Sequence, residues 1–235
     1  MQHHSKQLDS IEQSVHHKSM SFAQIKETGR CFDLLIFEHP SLTSTIIKYA
    51  SKLTTGMNIC NHVGLLLTEE VSIEGIDMSR PKVWESTVSN SNDPHNIDND
   101  NSFGVQLRDL EEVVKHYQQG GGHIALCKLQ VKPEFTDFQK IYDKYKHCKY
   151  ATANKLVTGT IPALRLFRIN DNSRVFCSEF VAFVYIDIKV ITDATDGKID
   201  GKILNPSNVI PTDFIGGDLD GMIPFTEEPI WIDKI

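Results

Sequence analysis

The sequence predicts an α+β domain in which helices are segregated around a mostly antiparallel sheet. Short runs rich in Val, Ile, Leu and Phe recur between turn residues, as strands do. Other segments carry apolar residues at helical spacing. No internal repeat points to a solenoid or propeller.

Residues 1–20 are polar and His-rich, without an apolar face, and are expected to be a tail. Residues 21–235 are expected to form one domain. "SFAQIKETG" predicts a short helix with Ser21 as N-cap and Gly29 just beyond its end. "CFDLLIFEH" reads as a strand, and "SLTSTIIKYASKLT" as a helix with Ile46, Ile47, Ala50 and Leu53 on one side. "NHVGLLLT" and "KVWESTV" are two further strands. The run at 89–102, "SNSNDPHNIDNDNS", is a polar loop insertion with almost nothing to bury.

"GVQLRDLEEVVKHY" starts as a strand and continues as a helix with Leu110, Val113 and Val114 inward. The glycines at 120–122 break the chain before the strand "HIALCKLQV". "PEFTDFQKIYDKYKHC" opens on a helix-compatible proline and spaces Phe138, Ile141, Tyr142 and Tyr145 helically. "RLFRI" is a candidate strand. After Cys177, Phe180, Val181 and Val184 form a helical stripe, although the β-branched content also suits a strand.

The chain has 235 residues, 40% of them hydrophobic, enough for a sizeable core without a disulfide or metal staple. The net charge of -7, with no large basic block, argues against a nucleic-acid partner. No apolar run reaches the length of a membrane span, and the first residues are too polar for a signal peptide. The five cysteines are scattered and form no CxxC, which suits reduced thiols in a cytoplasmic setting. His123 and Cys127 have i,i+4 spacing, but their segment alternates like a strand, so a zinc site is a weak reading. "DATDGKIDG" and "DLDG" lack the spacing and closing Glu of a calcium loop and read as turns.

Cys177, in "RVFCSEFVAFVY", stands at the start of the apolar helix. A helix N-terminus presents unpaired N–H groups and partial positive charge, which favour a thiolate and the oxyanion formed when sulfur attacks a carbonyl. The competing reading is a small buried hydrophobe, the commoner fate of a free cysteine. A nucleophilic cysteine benefits from a histidine base. Of the ten histidines, His62 stands out at the mouth of an apolar strand, with a hydrogen-bonded core-edge histidine as its alternative. Glu85 is an ionisable residue inside a β-prone run and reaches His62 if the two strands are neighbours. Its alternative is a solvent-facing strand residue, with Ser86 or Thr87 as the partner if the other face is turned inward. Glu179 is expected to point away and to serve the first turn of the helix.

The order "DLLIF", "NHVG", "WES", "GVQLRDL", "FCSEFV" resembles the circularly permuted NlpC-type papain-like cysteine hydrolases. That group includes YiiX-like proteins, relatives of lecithin retinol acyltransferase, and proteins of poxviruses and other large DNA viruses. In it the histidine precedes the cysteine, as here, and the likeness spans about residues 30–215. "PSNVIPTDF" resembles the family's stretch after the cysteine helix. The resemblance implies Cys177 as nucleophile, His62 as base and Glu85 as third residue, with no cofactor. It implies a permuted papain-like fold and a cysteine peptidase, amidase or acyltransferase acting on peptide-like or lipid acyl substrates. For viral members, the host cytoplasm or virion is the implied location. One departure is Phe32, where the family has a glycine before the aspartate, which predicts an altered turn. The competing class is a catalytically idle binding or host-interaction protein on the same scaffold.

Overall fold

The computed structural model describes residues 18–38, 60–87, 103–151, 173–191, 198–199, 202–203, 206, 209, 211–215, 223–225 and 228–235. The expected helix at 41–54, the polar loop at 89–102, the "RLFRI" strand and residues 1–17 of the tail lie outside them.

A nine-stranded sheet runs through the molecule in the order β1-β11-β6-β2-β3-β4-β5-β7-β8. Its strands are β1 (Ser19–Met20), β2 (Leu34–Glu38), β3 (His62–Leu67), β4 (Lys82–Thr87), β5 (Gly104–Asp109), β6 (His123–Cys127), β7 (Lys149–Tyr150), β8 (Arg174–Val175) and β11 (Ile230–Ile232). Neighbours are antiparallel except at the two margins, where β1–β11 and β7–β8 are parallel. Ser19 and Met20 belong to the sheet rather than to the expected tail: β1 pairs with the last strand. Among the described residues, four α-helices accompany the sheet: α1 (Phe22–Thr28), α2 (Leu110–Gln119), α3 (Phe138–Tyr145) and α4 (Cys177–Asp187). A separate hairpin pairs β9 (Lys198–Ile199) with β10 (Lys202–Ile203), with the Asp200–Gly201 pair between them in sequence. None of the described helices is long and apolar enough to cross a membrane.

Strand alternation divides the interior in two. Leu34, Ile36, Leu65, Trp84 and Leu107 share one core with α3 and α4. Leu35, Phe37, Leu66 and Val83 share the other with Ile25 of α1 and with Val113 and Val114 of α2. Ser21 caps α1 as expected: its hydroxyl accepts from the Gln24 N–H at 3.3 Å and the Gln24 side chain accepts from the Ser21 N–H at 2.8 Å. The helix α3 starts at Phe138, five residues later than the proline suggested, and buries Phe138, Tyr142 and Tyr145. Their rings surround Trp84, together with Phe180 of α4 at 4.7 Å. Trp84 is therefore core.

α4 resolves its helix-or-strand ambiguity as a helix because it is apolar on nearly every side. Residues 177–182, Val184 and Tyr185 are all buried. Its far end is tied down by the Tyr185 hydroxyl, which donates to the Phe32 carbonyl at 3.0 Å.

Phe32 occupies the left-handed region, with φ of 70°, which glycine enters without strain. Its ring offsets the cost by edge contacts with Phe135 and Phe138, each at 5.4 Å. Its N–H donates to the Leu66 carbonyl at 2.7 Å. Phe32 thus keeps a backbone conformation that suits glycine and adds an aromatic anchor. Two variants separate these effects. Both Phe32→Ala and Phe32→Gly lose the ring, at about 3–5 kcal/mol. The Gly variant is expected to be the more stable of the two by about 1 kcal/mol, the reverse of the usual order, because only it relaxes the φ strain. Urea unfolding of the pair checks this; an Ala variant at least as stable as the Gly variant contradicts it.

Candidate active site

β3 is apolar and buried except at its first residue, His62, whose side chain is 12% exposed. The ring lies beside Phe37 of the adjacent strand, with centroids 5.0 Å apart. β4 pairs with β3 on its other side. Glu85 follows Trp84 there and is fully buried, not solvent-facing.

Gly64 allows the two side chains to meet. A Cβ at this position would stand 3.1 Å from the Glu85 Cβ and 3.0 Å from a Val83 methyl. With no side chain between them, His62 Nε2 lies 2.5 Å from Glu85 Oε2. The other carboxylate oxygen, Oε1, accepts from Arg108 Nη1 at 2.8 Å. Arg108 comes from β5, where Gln106 and Arg108 alternate with the core residues Val105 and Leu107.

Cys177 arrives from the α4 layer. The chain leading into α4 is fastened to β4 by the Ser86 hydroxyl, which donates to the Val175 carbonyl at 2.8 Å. Ser86 is thus a scaffold residue rather than the partner of His62. Glu179 turns back as expected, its carboxylate accepting from the Phe176 N–H at 3.2 Å. Ser178 donates to the Val209 carbonyl at 2.6 Å. These contacts hold the first turn, and Cys177 is near enough to the His62 ring to raise its basicity. Since Nε2 is engaged by Glu85, Nδ1 is the ring nitrogen left for a second partner.

The electrostatics follow from this arrangement. Burial opposes a charged imidazole, but the charges of Cys177 and Glu85 and the hydrogen bonds to both outweigh it, and His62 is pushed up to about 10. Burial would likewise raise Glu85, yet His62 and Arg108 bring it down to about 2. The phenols of Tyr117 and Tyr150 are raised by burial and by the nearby Glu85 and Cys177 charges, so both are neutral hydroxyls. Tyr150 also sets its ring edge-on to Phe176, at 5.7 Å. Cys60 is raised well above the ordinary thiol range, first by burial and then by Cys177, and donates to the His62 carbonyl at 3.1 Å. Burial pushes the remote Cys31 and Cys127 up to about 12, which makes them inert.

All three residues singled out in the sequence therefore converge on one site. Arg108, Tyr117, Tyr150 and Cys60 escaped notice. Only Arg108 left a trace, as a polar alternation inside a strand that is otherwise core. His123 and Cys127 lie four residues apart along β6, about 13 Å in an extended strand. No group able to hold a metal is found among the described residues. A cavity of about 560 Å³, lined by Arg30, Phe32, Glu70, Lys132 and Phe135 among others, includes none of the site residues. No family model matches this chain, and no curated protein matches it.

The two shifts give the pair a pH signature. Glu85, depressed from 4.5 to about 2, contributes stability present above about pH 4.5 and lost as pH falls toward 2. His62, raised from 6.5 to about 10, contributes stability that is full below about pH 6.5 and lost as pH rises through 10. The stability difference between wild type and His62→Gln is expected to be greatest between these limits and to shrink on both sides. Urea titrations from pH 3 to 10 measure it; a difference independent of pH contradicts the assignment.

Proposed function

We propose that this chain is a cysteine-dependent acyl-transfer enzyme, a hydrolase or acyltransferase with a permuted papain-like fold. One observation carries the reading: a single imidazole is hydrogen-bonded to a buried carboxylate and lies close enough to a helix-start thiol for the sulfur to act on its charge. That is the arrangement of a nucleophile, its base and the group that orients the base. The chain order of histidine, carboxylate and cysteine, which matches the permuted group, supports it further.

In the proposed reaction Cys177 and His62 stand at rest as a thiolate beside an imidazolium, the thiol proton being held on the ring. The sulfur attacks an amide, ester or thioester carbonyl, and a carbon–sulfur bond forms. The N–H groups of the first turn of α4, which have no partner within the helix, receive the oxyanion. As the tetrahedral species collapses, the bond to the leaving group breaks and His62 returns the proton to that group. Water or a second acceptor then gives its proton to His62 and attacks the thioester, releasing the acyl group and restoring the thiolate. Glu85 keeps the ring in register and balances its charge throughout.

An electrophilic acyl probe tests this. Labelling at Cys177 is expected to exceed that of the other four cysteines and to fall by about 10²-fold or more in His62→Ala, in line with the contribution of a general base. His123→Ala is expected to label like wild type. Slow, equal labelling of all five cysteines would instead identify an idle scaffold used for binding.

A further inference from the structure

We propose that Arg108 is a positioning residue of this site: it clamps Glu85 Oε1, so that Oε2 stays turned toward His62 as a charged acceptor. The inference rests on the acyl-transfer reading, which assigns no role to Arg108.

A carboxylate that is fully buried needs partners for both oxygens. Glu85 is 0% exposed and the Arg108 side chain 4%, so water does not fill that role. If Oε1 had no donor, the group would be free to rotate away from the ring, and burial would favour its neutral acid. As an acid it would neither orient nor balance an imidazolium.

Arg108 prevents both outcomes from a neighbouring strand. Val83 is paired with Arg108 and Glu85 with Gln106, so the guanidinium reaches diagonally along the same face to Glu85. Titratable groups face Glu85 or its His62 partner from several of the described elements. They are His62 of β3, Arg108 of β5, Tyr117 of α2, Tyr150 of β7 and Cys177 of α4. The tyrosines are neutral, and His62 gives up and regains its proton in each turnover. Among these, Arg108 supplies the charge that does not change as the reaction proceeds.

The test follows alkylation of Cys177 by iodoacetamide from pH 4 to 9, in wild type, R108Q and R108K. Expected for R108Q is a slower reaction, by about tenfold, and an acid limb moved upward by about one to three pH units, the range for loss of an adjacent opposite charge. R108K, which keeps the charge but not the fork, is expected to restore the acid limb while remaining slower than wild type. A merely structural role would lower the rate without moving the limb. A folded R108Q with the wild-type limb therefore overturns the proposal. If R108Q fails to fold, carboxyl ¹³C resonances of His62→Gln, which lacks the imidazolium, decide: a Glu85 signal titrating at or above the ordinary 4.5 overturns the proposal, and one still ionised at pH 4 supports it. The same resonance reports on Arg108 even if Cys177 reacts no faster than the buried Cys31, a result that would count against the acyl-transfer reading alone.

Discussion

Glu85 is the constraint from which the site takes its form. A carboxylate without access to water is tolerated only where positive donors meet both of its oxygens. His62 on one side and Arg108 on the other satisfy that demand at 2.5 and 2.8 Å. Three adjacent strands must therefore be in one register, and Gly64 must remain without a side chain. The charge that would ordinarily be excluded from a core is what turns the imidazole toward the thiol. A site assembled in this way spends stability that an apolar core would retain, and such spending is characteristic of functional positions.

The sheet separates two cores, and the site lies where they communicate. His62, Glu85 and Arg108 share strand parity with residues of the α2 side, whereas Cys177 belongs to the α4 side. His62 opens its strand, and an imidazole at a strand end is not confined to one face as a mid-strand residue is. The Ser86–Val175 hydrogen bond is the complementary device. From the position next to Glu85, on the opposite face, it anchors the segment that carries the thiol. Adjacent residues of one strand thus hold the two halves, Glu85 the imidazole and Ser86 the approach to the thiol.

Much of this was legible because periodicity and turn residues are local signals. Ser21, the 110–119 helix and the glycine break before β6 all behave as their neighbours dictate. Cys177 and His62 were legible for a related reason, as polar or reactive groups at the ends of apolar elements. The late start of α3 was not, since a proline compatible with a helix does not require one. Met20 was placed in a tail because its strand is two residues long and gains its meaning from a partner at the far end of the chain. Arg108 and the two tyrosines are a matter of tertiary proximity. Their relation to Glu85 depends on strand register and helix packing, which no single segment encodes.

The linear order of the site has a consequence for biosynthesis. The imidazole and the carboxylate lie in the first half of the polypeptide, and the sulfur is contributed only by a helix well into the second. A ribosome-bound chain, or one truncated before α4, can possess the imidazole and its counter-charge yet lack Cys177. The three-residue cluster is thus completed late, with docking of α4.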